Sequence, residues 1–327
     1  MKISILGFGS WGTAISQVLA NNGHSISAWT VDERIVESMK WHENPYYFPR
    51  KKLSENITVS TDLNRVCKDS EMIVIAVPTQ AIREIIKRIT DDSQVIVSLS
   101  KGIEINSGRL IHQIIAEELH ITERYVALSG PTHAEEVMVE IPTNIVAAGT
   151  DEKTLTLVQN TFGNDFFRVY TNDDILGVEL CGALKNIYAI AAGVIDGLGP
   201  WDNTKAALIT RAVMEIRRFG EHLGARRETF LGLAGVGDMI VTCTSKHSRN
   251  RYVGEHLGRG GTIEAILKDM NMVAEGVYTS LALKRMLERQ PVEMPIAEKI
   301  YEVIHEGKNP KEAIQELMNR CPKPEFW

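Results

Sequence analysis

Between Val178 and Leu198 the chain runs VELCGALKNIYAIAAGVIDGL. The spacing predicts one long helix, about 31 Å at ~1.5 Å per residue. It is apolar on nearly every face: Leu180, Leu184, Ile187, Ile190, Ala191, Val194 and Ile195 leave no wet side. Such a helix belongs in a protein interior. Lys185 and Asn186 are set into that wall. A buried ammonium is costly unless something pairs with it, and burial draws a lysine pKa down toward the working range. The alternative is a lysine whose stem snorkels to solvent, which the mid-helix position of Lys185 disfavours. A membrane span is excluded because Glu179, Lys185 and Asp196 interrupt the run of ~20 apolar residues that one needs.

The amino-terminal half has a different rhythm. Lys2–Leu6 is a predicted strand, Gly7-Phe8-Gly9-Ser10-Trp11-Gly12 follows, a helical pattern continues through Asn22, and Ser25–Trp29 is a second strand. A G-x-G-x-x-G between strand and helix is the setting in which that motif binds a dinucleotide. Gly7 permits the tight turn, Gly9 lets backbone approach a pyrophosphate, and Gly12 lets helix and strand pack closely under the phosphates. Asp32, twenty residues past Gly12, is placed either to bind the adenosine ribose or to start a solvated helix. In the first role it would favour NAD over a 2′-phosphorylated cofactor.

Short apolar runs at Ile57–Val59, Met72–Ala76, Gln94–Ser98, Tyr125–Ser129 and Asn144–Ala148 alternate with helical patterns. This predicts a doubly wound Rossmann-type α/β domain over 1–176, with ligands at the carboxyl ends of its strands. The loops there include Val77-Pro78-Thr79, Ser100-Lys101-Gly102 and Ser129-Gly130-Pro131-Thr132-His133-Ala134. Lys101 beside a glycine suits an anion or is a surface lysine. His133 suits catalysis or a capping and packing role.

Past Tyr170 strand patterns stop, and helical periodicity predicts an all-helical domain over 177–327. Its second glycine-rich turn, Gly232–Gly237, has no strand before it and so suits a helix junction rather than a nucleotide. Asp238 follows and is the best internal partner for Lys185. Arg249, between the short polar donors Ser248 and Asn250, either grips a phosphate with its planar fork or belongs to a basic patch with Lys246, His247 and Arg251.

The bulk composition narrows the remaining classes. A net charge of −6 argues against a nucleic-acid partner. Four dispersed cysteines with no C-x-x-C pair fit a reducing cytoplasm, and the four-residue apolar run before Gly7 is too short for a signal-peptide core. No metal-ligand spacing occurs among the nine histidines, so no metal is expected. A homodimer is the expected assembly.

A dinucleotide domain joined to a helical domain with one buried lysine predicts hydride transfer to a small carbonyl compound. Lys185 would stabilise the developing oxyanion and deliver its proton, with Lys101 strengthening the positive field. Arg249 would hold a phosphorylated end away from the reacting carbon. In these residues the chain resembles bacterial-type NAD(P)-dependent glycerol-3-phosphate dehydrogenase from Met1 to about Leu317. The matching motifs are GFGSWGTA, AVPTQAIR, SKGIE, LSGPTHAEEV, GVELCGALKNIYAIAAGVIDGLG and LAGVGDMIVTCTSKHSRN.

The resemblance implies reduction of dihydroxyacetone phosphate to sn-glycerol 3-phosphate for phospholipid synthesis, with Lys185 as the proton carrier. It implies substrate contacts at Lys101, Gly130, Thr132, Asp238, Ser248, Arg249 and Asn250. It implies cofactor contacts at Ser10, Trp11, Lys101, Ala134, Arg249, Val273 and Glu275. Many NADP-using members carry a basic residue just after the second strand, where this chain has Val31-Asp32. A related 3-hydroxyacyl or sugar-acid dehydrogenase is the second reading, and a non-catalytic NADH sensor the third. Lys185 and Arg249 speak against the last of these.

Overall fold

Runs such as KISIL, MIVI and VIVS are buried almost throughout, as strands covered on both faces require. The computed structural model describes residues 1–89, 94–270 and 273–325. Its strands are β1 (Lys2–Leu6), β2 (Ser25–Trp29), β3 (Ile57–Ser60), β4 (Met72–Ile75), β5 (Val95–Ser98), β6 (Tyr125–Ser129), β7 (Thr143–Ala148) and β8 (Phe167–Asn172). They form one sheet in the order β3-β2-β1-β4-β5-β6-β7-β8. The helices between them are α1 (Ser10–Asn21), α2 (Glu33–Ser38), α3 (Leu63–Cys67), α4 (Ile82–Ile86), α5 (Ile111–Leu119), α6 (Ala134–Met138) and α7 (Glu152–Phe162). The order doubles back at β1 and β4, the point where a doubly wound sheet opens its ligand crevice.

β8 lies beyond the last strand expected from the sequence. Phe167 and Val169 point into the core while Arg168 and Tyr170 face solvent, the alternation of a half-covered edge strand. β7 pairs antiparallel with β6, and β8 runs parallel to β7. This reversal brings the chain back to the amino-terminal edge of the sheet before the helical half begins.

From there α8 (Ile175–Leu198) runs along the sheet toward its carboxyl edge. It starts three residues before its expected first residue because Asp174 caps it, accepting from Gly177 N at 2.9 Å. Nineteen consecutive residues, Gly177 to Ile195, are buried. Apolar enough to cross a bilayer, this helix is here sheathed in protein. The sheath is α9 (Asp202–His222), α10 (Asp238–Thr244), α11 (Arg249–Gly258), α13 (Glu275–Arg289) and α14 (Pro295–His305), with α12 (Ile263–Asp269) packed on α11 and α15 (Pro310–Met318) on α14.

The closest crossing is between α8 and α11. Each presents a pair of glycines four residues apart, Gly193 and Gly197 on α8, Gly254 and Gly258 on α11. A methyl group at Gly254 would run into the Ile190 carbonyl oxygen, and one at Gly193 into that of Arg251. The two helices thus touch backbone to backbone. The carboxyl half of α8 thereby fixes where α11, and Arg249 at its first turn, can stand. Gly254→Ala should force the helices apart, lowering the thermal unfolding midpoint by the equivalent of about 1–3 kcal/mol. An unchanged midpoint in a calorimetric scan would show that the crossing tolerates a side chain.

Candidate active site

The turn after β1 has the form its sequence predicts. Gly7 adopts φ +105°, and a Cβ there would lie 2.7 Å from the Ala76 carbonyl oxygen. A Cβ on Gly12 would overlap the Gly7 carbonyl oxygen. At Gly9, the N-cap of α1, the nearest atom to such a Cβ is the Tyr47 hydroxyl, 3.9 Å away. The backbone is therefore bare where a pyrophosphate must approach, and half-buried Ser10 and Trp11 open the helix that points at it. The cradle fits a dinucleotide.

Beyond the carboxyl ends of β5 and β6 stands the ammonium of Lys185, on a residue only 7% exposed. It donates to Asp238 Oδ1 at 2.5 Å and to Thr242 Oγ1 at 2.8 Å. Lys101 donates to the other oxygen of the same carboxylate at 2.7 Å and to the Gly130 carbonyl at 3.1 Å. Asp238 thus lies between two ammoniums and is itself 1% exposed. Burial alone would raise its pKa; Lys101 and Lys185 more than offset this, and the carboxyl is held below its ordinary value. Burial pushes Lys185 the other way, down to about 8, against the attraction of Asp238 and with Lys101 assisting.

Asp238 owes its position to the second glycine-rich turn. Leu233–Gly237 forms a single π-helical turn, and Asp238 is the first residue of the α-helix that continues it. Gly235 is obligatory there, because a Cβ would collide with the Phe230 carbonyl. The turn is a junction between helical segments. Thr242 was not foreseen. Its signal was present: four residues after Asp238 on one helix, it shares that residue's face.

Three site residues are tied through their successors. Asn186 follows Lys185, Asn250 follows Arg249, and Gly276 follows Glu275. Asn250 donates to Asn186 Oδ1 at 2.9 Å and accepts from Gly276 N at 2.9 Å. One buried amide therefore holds the ammonium, the guanidinium and the carboxylate in register. Glu275 in turn accepts from Thr79 N at 3.0 Å, bridging the β4 loop to α13. Burial raises the Glu275 pKa, with the Thr79 amide and Arg249 opposing.

Arg249 is solvent-accessible and has no hydrogen-bond or ion-pair partner among the described residues. Its guanidinium is nonetheless desolvated enough to lower its pKa, with Glu275 pulling the other way. Glu135 acts on it in the same sense as Glu275.

The remaining predicted residues fall around this centre. At Gly130 (φ +156°) a Cβ would press to 3.1 Å from Ile145 Cα, and the Gly130 carbonyl accepts from Thr132 Oγ1 at 3.1 Å. Ala134 is buried at the start of α6. Buried Ser248 caps α11, accepting from Arg251 N at 3.2 Å. His133 is the N-cap residue of α6 without a side-chain cap bond; its ring lies 5.8 Å from that of His247. Burial and Lys185 both lower the His133 pKa. Val273 is half-buried just before α13, while Asn271 and Met272 of the same loop lie outside the described residues. Asp32 caps α2 and pairs with Arg34 at 2.7 Å. No cluster of metal-ligating side chains occurs among the described residues.

Comparison with known proteins decides the family. The family model for the amino-terminal part of NAD-dependent glycerol-3-phosphate dehydrogenase matches residues 2–155, and that for its carboxyl-terminal part matches 174–315. The chain belongs to the NAD-dependent glycerol-3-phosphate dehydrogenase family. It is 46% identical over 334 residues to a glycerol-3-phosphate dehydrogenase [NAD(P)+] of Chlorobium phaeobacteroides, covering 100% of both chains. It is also 46% identical to that of a Thermoanaerobacter species, covering 100% of this chain and 99% of the other.

Among solved glycerol-3-phosphate dehydrogenases, that of Coxiella burnetii superposes with a TM-score of 0.94 at 36% identity, covering 98% of this chain and 99% of the other. The Plasmodium falciparum enzyme superposes with a TM-score of 0.88 at 28% identity, covering 99% of this chain and 97% of the other. For a member of this family, a Lys185 ammonium that titrates near pH 8 has a kinetic signature. If Lys185 carries the proton, reduction should hold below about pH 8 and fall above it, whereas oxidation should rise through the same region. Parallel pH profiles for the two directions would remove Lys185 as the group responsible.

Proposed function

We propose that Lys185 is the proton donor and acceptor in the reversible reduction of dihydroxyacetone phosphate to glycerol 3-phosphate. The overall activity is that of the family: an NAD(P)-dependent oxidoreductase supplying glycerophospholipid synthesis. What supports the residue assignment above all is a single lysine ammonium, buried and held 2.5 Å from Asp238, at the end of the crevice that the glycine turn begins.

When bound, the reduced dinucleotide supplies the hydride that reaches the carbonyl carbon. Lys185 Nζ then donates a proton to the carbonyl oxygen as negative charge builds there, giving the alcohol and a neutral amine that regains its proton from solvent. Asp238 keeps the ammonium aimed and, being ionised, cannot itself supply the proton. Lys101, on the other carboxylate oxygen, adds a second positive charge to the field that draws electrons onto the substrate oxygen. The guanidinium of Arg249, unpaired among the described residues, receives the phosphate, with Ser248, Asn250, Thr132 and Gly130 around it.

The sheet-bearing part, 1–176, holds the dinucleotide along Gly7, Gly9, Ser10, Trp11, Gly12 and Ala134; the helical part, 177–327, supplies proton, anion clamp and the Val273–Glu275 contact. All four cysteines carry free thiols, which supports a reducing cytoplasm as the site of action. Homodimer formation belongs to the same reading, with exposed apolar side chains such as Leu231 and Ile240 available to it.

Replacing Lys185 with Ala should lower turnover by about 10²–10⁴-fold with NADH affinity nearly unchanged. Normal turnover in that variant would exclude the role. Arg249→Ala should raise the KM for the phosphorylated ketone far more than that for a non-phosphorylated analogue; an equal effect on both would rule out the clamp.

A further inference from the structure

The edge of the crevice beyond β2 carries an ion pair that the reaction does not use. β1 and β2 are parallel neighbours, Leu6 opposite Trp29, and Gly7 N donates to the Trp29 carbonyl at 3.0 Å. The chain leaving β2 therefore runs beside the glycine turn, where the adenosine ribose of a dinucleotide lies when its pyrophosphate sits on α1. At this place a free aspartate excludes a 2′-phosphate and a nearby arginine admits one.

Both residues are present, engaged with each other. Arg34 Nε donates to Asp32 Oδ1 at 3.0 Å and Oδ2 at 3.2 Å, Nη2 donates to Oδ2 at 2.7 Å, and the Arg34 amide takes Oδ1 at 2.9 Å. Both carboxylate oxygens are thus occupied and the pair is close to neutral. The guanidinium also lies over the Tyr46 ring, 5.2 Å from its centroid. Tyr46 is carried on a segment tied across the glycine turn, since Asn44 donates to Thr13 Oγ1 at 2.9 Å and to the Phe8 carbonyl at 3.3 Å. The neighbouring Tyr47 hydroxyl overhangs Gly9. Arg34 is therefore seated at the same end of the crevice as the cradle, with 72% of its side chain in solvent. An ion pair so exposed is cheap to open. A phosphate dianion offers the fork a stronger bidentate partner than a single carboxylate.

We propose that Arg34, clamped to Asp32 and resting on Tyr46 at the carboxyl end of β2, is the residue by which this enzyme accepts a 2′-phosphorylated dinucleotide as well as the unphosphorylated one. With NAD(H) the guanidinium stays on Asp32 and the ribose hydroxyls meet a neutral pair. With NADP(H) it turns from Asp32 to the 2′-phosphate, keeping Tyr46 beneath it.

The proposal rests on the dinucleotide reading of the glycine turn, and its test separates the two. The full chain is titrated with 2′,5′-ADP and with 5′-AMP, following tryptophan fluorescence, and kcat/KM is measured for NADPH and NADH with dihydroxyacetone phosphate. Arg34→Gln should weaken 2′,5′-ADP by at least about tenfold, the loss expected of one charge-assisted fork, and leave 5′-AMP within about twofold. The NADPH-to-NADH ratio of kcat/KM should fall in step. Arg34→Lys, which keeps the charge and loses the fork, should lie between the two. The steeper salt dependence of 2′,5′-ADP binding should disappear in Arg34→Gln. Equal weakening of both probes, or of neither, overturns the assignment. Retained discrimination between the probes in a protein that does not reduce dihydroxyacetone phosphate would keep Arg34 assigned and fail the catalytic reading alone.

Discussion

One carboxylate shared by two ammoniums is the constraint on which this cleft depends. Asp238 is almost wholly removed from water, and an unpaired carboxylate in that setting would take up a proton. Lys101 reaches it from the sheet and Lys185 from the long helix, so the contact that keeps the charge also joins the two halves of the molecule. The sum of the three charges is positive. An incoming phosphorylated ketone therefore meets a net attractive field before Arg249 is counted, and low local polarity makes that field stronger than it would be in water. The lysine is drawn down to about 8 because burial and Lys101 act against Asp238, a balance that suits the proposed proton carrier.

The scaffold meets this constraint with backbone rather than with loops. Asp238 opens a helix that grows out of a π-helical turn, Lys185 lies mid-way along a helix buried on all sides, and Arg249 starts a helix pressed against it glycine to glycine. The reversal of β7 and β8 lets α8 climb along the sheet and deliver its lysine above the strand ends. Close helix crossings and buried amides leave these groups few alternative positions, and preorganisation of that kind lets fixed charges stabilise a transition state without rearranging.

The sequence disclosed the local elements better than their assembly. The glycine turn, the buried helix and its lysine were legible because each carries a periodicity or spacing with a physical cause. Asp238 was legible as a partner because an apolar helix with one lysine demands a counter-charge. Lys101 as a second claimant on that carboxylate was not, since the pairing spans 137 residues and nothing local marks it. Asn186 and Asn250 looked like companions of Lys185 and Arg249, and only the fold reveals that the two amides bond to each other. β8 is hard to read from sequence because an edge strand of six residues carries little hydrophobic signal beside the helix that follows. Of the two roles open to Asp32, the structure shows the helix start, with the same carboxylate also holding the Arg34 guanidinium.

The amide of Asn250 has a corollary for which molecules can react. Because it binds the residues after the lysine, the arginine and the glutamate to one another, the backbone positions of Lys185 and Arg249 are set by the protein interior and not by the ligand. The cleft behaves as a gauge block. If Lys185 carries the proton and Arg249 receives the phosphate, a phosphorylated ketone one carbon longer or shorter would satisfy the guanidinium or the ammonium, but not both together. Chain length is thereby selected by rigidity, with no wall needed to shut the wrong molecule out.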